Sequence, residues 1–163
     1  MSQPLIDPRL LRNALGRFAT GVAIVTAIDP DGKPMGLTVN SFSAVSLAPA
    51  LVLWCLDNSS HNLDAFCRAS HHAINILTLE QMALSDRFAS FPGDRFAGIE
   101  WQAGTGGAPV FPGCCAVFEV ANETRHAGGD HTIFIGRVER LQENPEPAPL
   151  LFHAGQYGQL AAA

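Results

Sequence analysis

The chain has 163 residues, 47% of them hydrophobic and only 15% charged, with a formal net charge of −5. That length suits a single domain, 1–163, with a real core. The acidic balance, without a basic cluster, argues against nucleic acid or an anionic membrane as the main partner.

Asp7-Pro8 predicts a helix start, with Asp as N-cap and Pro at the first helical position. Leu11, Ala14, Leu15 and Phe18 follow at helical spacing. Thr20 to Ile28 reads as a strand, apolar on both faces, and Asp29-Pro30-Asp31-Gly32 as the turn of a hairpin. Gly36 to Val39 is β-prone. Asn40, Ser41 and Ser43 then place small polar groups around a bend. Pro49 breaks the chain before Leu51 to Leu56, a continuous apolar run expected of a strand buried on both faces. Asp57-Asn58-Ser59-Ser60 supplies turn and N-cap chemistry for a helix carrying Leu63, Ala65 and Phe66.

Ala73 to Leu77 is a short apolar strand. Thr78 and Gln81 have capping-box spacing for a helix reaching about Phe88. Residues 90–98 read as a loop with aromatic anchors, and 103–113, rich in Gly and Pro, as an irregular crossing. Cys114 to Val120 and Thr132 to Leu141 are strands, with a Gly128-Gly129 hairpin turn between His126 and His131. Pro145, Pro147 and Pro149 leave an irregular tail. Roughly six or seven strands with few helices, and no regular βαβ alternation, point to a mostly antiparallel barrel. No G-x-G-x-x-G follows a strand, which disfavours a dinucleotide-binding α/β fold.

Ordinary soluble proteins carry roughly 25% charged residues. So few charges indicate either a permanent oligomer, most simply a twofold dimer, or an unusually buried monomer. No apolar run approaches the roughly 20 residues of a membrane helix, and no secretory h-region opens the chain. Cys55, Cys67, Cys114 and Cys115 form no C-x-x-C pair and sit among apolar neighbours. They read as free thiols in a reducing, cytoplasmic setting.

The histidines make no H-x-x-x-H spacing, so no metal site is expected; His126 and His131 flank a turn and can approach across it. No G-x-S-x-G elbow is present. A helix start with hydroxyls and free N–H groups is an anion site, so Ser59 and Ser60 either bind a phosphate-bearing ligand or only cap the helix. His131, at a strand start beside a flexible turn, is either a ligand contact or a solvent-facing residue.

The order of Thr20-Gly21-Val22, Gly36-Leu37-Thr38-Val39-Asn40-Ser41-Phe42-Ser43, Val45-Ser46-Leu47-Ala48-Pro49, the 51–56 strand, Asn58-Ser59-Ser60, and Gly129-Asp130-His131 with Ile135-Gly136-Arg137-Val138 resembles the flavin reductase-like family. These are short-chain reductases that partner two-component flavin monooxygenases. The resemblance spans residues 10–160. It implies a mostly β fold with peripheral helices, an antiparallel, Greek-key-like split β-barrel, assembled as a homodimer that binds FMN or FAD. It implies that Thr38, Val39, Asn40 and Ser41 lie against the flavin ring and ribityl chain, with Cys55, Leu56 and Asp57 lining the other side. Ser59, Ser60, His61 and Asn62 take the phosphate, Arg87 and Phe88 close over the cofactor, and Tyr157 reaches the same region. His131 stands where nicotinamide stacks and is the catalytic-site histidine.

The implied activity is hydride transfer from NADH or NADPH to flavin, serving a transient monooxygenase partner. NADH is favoured, because no arginine pair presents itself for a 2′-phosphate. A reductase that retains FMN and acts on another acceptor such as a corrinoid, and a non-catalytic flavin- or haem-binding barrel, are the alternatives. His61 departs from the basic residue of many relatives, and imidazole holds phosphate more weakly than a fixed cation. Ala48-Pro49-Ala50 replaces the more usual acidic-Pro-Pro.

Overall fold

The computed structural model describes residues 6–161. Asp7 caps α1 (Pro8–Leu15) by accepting from Arg9 N at 2.8 Å, with Pro8 opening the helix. The apolar side of α1 has no cover among the described residues: Leu10, Leu11 and Leu15 are exposed, as is Phe18 just beyond the helix. Strands β1 (Thr20–Gly21) and β2 (Ala23–Ile28) follow. A turn in which Asp29 Oδ1 accepts from Asp31 N and Lys33 N leads to β3 (Pro34–Val39).

The polar bend is shorter than the sequence suggests. Residues 40–42 form it, and β4 (Ser43–Leu47) begins at once. β4 carries no buried residue, so it gives no hydrophobic alternation to read. The chain returns along β5 (Ala50–Asp57). Then come α2 (Leu63–Arg68), β6 (His71–Ile76) and, after a short 3₁₀ turn, α3 (Met82–Ser90). The capping box forms as its spacing requires, with Thr78 N donating to Gln81 Oε1 at 3.0 Å.

The irregular crossing contains two short paired strands, β7 (Gln102–Ala103) and β8 (Pro109–Val110). β9 (Ala116–Gly128) and β10 (His131–Glu143) make a hairpin longer than expected. Gly129 closes it at φ +71°, a conformation that glycine adopts freely. The tail is not irregular after its prolines: β11 (Leu151–His153) and β12 (Gln156–Gly158) pair, and β11 also pairs β1.

The main sheet runs β3-β2-β6-β9-β10-β5-β4, antiparallel throughout. Its edges, β3 and β4, are consecutive in the chain yet not bonded to each other. One core cluster nevertheless joins Met35 and Val39 of β3 to Val52, Trp54 and Leu56 of β5, with Val25, Ile74, Phe134 and Phe66 of α2. Strands at opposite ends of the order can share a cluster only if the sheet curls, as twisted sheets do. The other face of β2 and β6 packs Val22, Ile24 and Leu77 against Phe88, Phe96, Phe111 and Leu150. Thus β2 is buried on both faces as expected.

β5 is not. Val52, Trp54 and Leu56 are buried, while Leu51, Leu53 and Cys55 between them are half-buried. β5 lies beside the edge strand β4, and among the described residues its outward-facing side chains are only half-buried. Among the described residues no helix is long and apolar enough to cross a membrane, and the four cysteines are free.

Candidate functional site

β5 is the axis of the site. Ser41, just beyond the β4–β5 ladder, accepts from Cys55 N at 2.9 Å and donates to Cys55 O at 3.2 Å. That pair fixes the 40–42 bend to β5. Two residues on, Asp57 lies opposite His131 in the β5–β10 register. The turn after β5 is laced to the β9–β10 turn: Asn58 N donates to Asp130 O at 2.9 Å, Asn58 Nδ2 to Gly129 O at 3.3 Å, and Thr132 Oγ1 to Asn58 Oδ1 at 2.8 Å. Residues far apart in sequence thus meet along one end of β5. His131 is held by the Asp130 carboxylate, whose Oδ1 accepts from Nδ1 at 2.7 Å, leaving Nε2 as the acceptor nitrogen of the ring.

Val39 and Leu56 point into the core, so each offers only backbone. Asn40 is exposed, and Cys55 is half-buried with burial pushing its thiol upward. Thr38 Oγ1 donates to Ser85 O of α3 at 2.6 Å.

The serine turn differs from its sequence reading. The residue before α2 is Asn62, and neither Ser59 nor Ser60 caps the helix end. Instead Ser59 N and Ser59 Oγ both donate to Asp57 Oδ1, each at 2.7 Å. The Ser59 hydroxyl first, and the Ser59 backbone N–H second, hold the Asp57 carboxyl below its usual range. Ser60 Oγ accepts from Asn62 N at 3.3 Å, so its own hydrogen can turn outward. At six residues α2 is short, and whatever anion affinity exists here belongs to the turn rather than to a helix dipole.

Two helix-end candidates are engaged elsewhere. Phe88 is fully buried in the second core, edge-on to Phe96 and Phe111; it is a packing residue. Arg87 spends its guanidinium on carbonyls, Nε to Arg95 O at 2.7 Å and Nη2 to Ala97 O at 2.7 Å and Asp94 O at 3.1 Å. Its job here is to fold the 91–97 loop back onto α3. Tyr157 does come to this side of the molecule, bonded through its hydroxyl to Ser85 and Asp86 of α3.

His61 and Asn62 line an open cleft of about 440 Å³ whose far wall is the 91–96 segment. Arg95 lies on that wall, its Nη1 donating to Gly36 O at 3.1 Å. Sequence reasoning missed Arg95. The signal was a lone cation between Phe91 and Phe96 in a loop read only for its aromatics.

The histidines do not gather. His126 pairs with Ile133 and His131 with Gly128, so the two are not opposite each other. His72 is buried, whereas His71 Nε2 approaches Glu139 Oε2 at 3.3 Å. Among the described residues no group of three or more His, Cys, Asp or Glu could hold a metal ion.

Residues 15–161 match the family model described as flavin reductase like domain. The chain is 45% identical over 152 residues to HsaB, the reductase subunit of a flavin-dependent monooxygenase from Rhodococcus jostii RHA1, covering 93% of this chain and 77% of that protein. It is 45% identical over 155 residues to the FMN reductase (NADH) SmoA of Agrobacterium fabrum, covering 95% and 87%. Among solved structures, the NADH:FAD oxidoreductase SgcE6 of Streptomyces globisporus, in complex with NAD and FAD fragments, superposes with a TM-score of 0.89 at 34% identity over 98% of both chains. Across that identity and coverage, the chain belongs to the flavin reductase-like domain family.

Proposed function

We propose that this protein is a flavin reductase, oxidising NADH or NADPH, reducing FMN or FAD, and supplying the reduced flavin to a two-component monooxygenase. The observation that carries this reading is similarity, over nearly the whole chain, to an FMN reductase (NADH) and to a monooxygenase reductase subunit. When bound, a flavin would supply the hydride acceptor and a nicotinamide the hydride, chemistry that belongs to the ring systems themselves. The chain's task is to hold the two rings together and keep water out.

The residues fit a flavin nucleotide. The Thr38–Ser41 segment, fixed to β5 and α3, offers backbone N–H groups to the polar edge of the ring. Ser60, His61 and Asn62 offer donors for phosphate, with Arg95 on the same cleft. The Asp57 carboxylate repels an anion from the Ser59 side, which directs phosphate to Ser60 and beyond. His131, whose Nδ1–H donates to Asp130, offers Nε2 as an acceptor for the nicotinamide carboxamide N–H. Val45 is 44% and Leu47 96% exposed beside the uncovered face of β5, and we read this surface as the seam of a homodimer. The cytoplasmic setting belongs to the same reading.

Purified protein is expected to oxidise NADH when FMN or FAD is added and to pass the electrons to oxygen. Turnover no faster than free flavin, with both flavins and both nicotinamides, would overturn the proposal. His131→Ala is expected to raise KM for NADH about tenfold, the equivalent of ~1.4 kcal/mol. An unchanged KM would remove His131 from the nicotinamide site. Flavin that stays bound through gel filtration would favour the retained-FMN alternative.

A further inference from the structure

Three segments distant in sequence meet at the N-terminal half of α3. Thr38, at the end of β3, donates to the backbone oxygen of Ser85 at 2.6 Å. The Ser85 side chain, wholly buried, lies 2.8 Å from the Tyr157 hydroxyl of β12. Tyr157 in turn donates to Asp86 Oδ1 at 2.9 Å. A phenol has one hydrogen, so the direction is set: Tyr157 donates to Asp86 and accepts from Ser85. β12 is the outer strand of its small sheet and pairs only with β11 among the described strands. Its tyrosine is therefore what ties that hairpin to α3. Between these segments lies a cleft of about 200 Å³, walled by Val22, Thr38, Val39, Asn40, Phe152 and Tyr157. Burial raises the Tyr157 pKa above its ordinary value, so the hydroxyl stays protonated and remains a donor through neutral pH.

Resting on the flavin reading above, we propose that Tyr157 is a positioning residue for flavin: its hydroxyl, shared between Ser85 and Asp86, clamps the β11–β12 hairpin to α3 and so holds the Thr38–Asn40 segment in its receiving conformation. The oxygen is spent on α3 and does not itself grip the ligand. Without it, Ser85 loses a buried acceptor, the hairpin keeps its pairing to β1 but loses its hydrogen-bonded link to α3, and one wall of the cleft loosens against the Thr38–Asn40 segment. Uncomplexed protein then spends part of its time in forms that must be reordered before flavin binds, which weakens apparent affinity without touching the hydride step.

Tyr157→Phe keeps the ring and removes only the hydroxyl. It is expected to raise KM for flavin about tenfold while leaving kcat and KM for NADH within about twofold. Asp86→Asn retains an acceptor oxygen and should keep flavin KM near the wild-type value, whereas Asp86→Ala should resemble Tyr157→Phe. Amide hydrogen exchange at 38–40, measured without any ligand, should quicken in Tyr157→Phe. Unchanged flavin KM in an active Tyr157→Phe variant would overturn the clamp, as would equal losses in both KM values with a broad fall in Tm. Should the wild type show no flavin reduction, the proposed function fails, and the exchange measurement alone decides the clamp: no change at 38–40 sinks it.

Discussion

Asn75→Ala is expected to cost about 4 kcal/mol of folding stability. Asn75 is fully buried in β6, on the face turned toward the 103–113 crossing. Its Oδ1 accepts from Phe111 N at 2.9 Å. Its Nδ2 lies 3.1 Å from Ile24 O and 3.3 Å from Pro109 O, with longer approaches of 3.4 Å to Ala73 O and Thr26 Oγ1. Two hydrogens serve the two nearer carbonyls. Thr26 Oγ1 reinforces the same junction by donating to Pro109 O at 2.5 Å. Alanine leaves the Phe111 N–H without an acceptor and removes a donor from two carbonyls, in a place water does not reach. Each orphaned buried group costs about 1–3 kcal/mol, and a small cavity adds to this. Urea unfolding should show a lower midpoint with an unchanged slope. A loss under about 1 kcal/mol would show that the crossing is held by its apolar contacts alone.

Asn75 marks the limit of what the sequence discloses. The strand was legible from Ala73 to Leu77, because apolar residues declare themselves locally. The role of its one amide was not, because its partners stand 34, 36 and 51 positions away. The same division runs through the chain. Asp7-Pro8, the Asp29 turn, the Thr78–Gln81 box and Gly129 act through neighbours within a few residues, and each forms as read. β4 went unread because none of its residues is buried and it shows no hydrophobic alternation, and β12 because three prolines precede its hairpin.

The site divides in the same way. Polar side chains at 57–60 announced a turn, but only the structure shows Asp57 taking both Ser59 donors. Spacing alone could not relate Ser41 or Asp57 to His131; the family resemblance did so, and the β5 ladders supply the physical reason. Phe88 and Arg87 show what resemblance does not carry. A position matching a cofactor-facing segment can still be spent on the core or on a loop, as their partners require.

Wild-type protein is expected to lose about 3 kcal/mol of stability between pH 7 and pH 4 through His72 alone. This imidazole is 1% exposed. It sits edge-on to Trp54, Phe66 and Phe134, with ring centroids 5.4, 5.6 and 5.6 Å away. Its Nε2 lies 3.1 Å from Phe66 O, so the neutral ring carries its hydrogen there. Burial is the largest influence and pushes the pKa down from 6.5 to about 4, with the Phe66 carbonyl opposing and His71 and Arg125 adding repulsion. The sign follows from which state takes the proton. Between 6.5 and about 4 the unfolded chain binds it and the folded chain does not, so stability present above 6.5 drains away as pH falls. The loss levels off once the folded form also titrates, and each pKa unit is worth about 1.4 kcal/mol. His72→Gln keeps an amide donor for Phe66 O and cannot take a proton, so its stability should stay flatter through this range. Glu119 does not blur the window. Burial raises its pKa, but the Thr105 hydroxyl and N–H outweigh that and bring it below its ordinary 4.5, so its own loss comes at lower pH. Urea midpoints at pH 7, 6 and 5 for both proteins make the comparison, and parallel curves would assign the acid sensitivity to some other group.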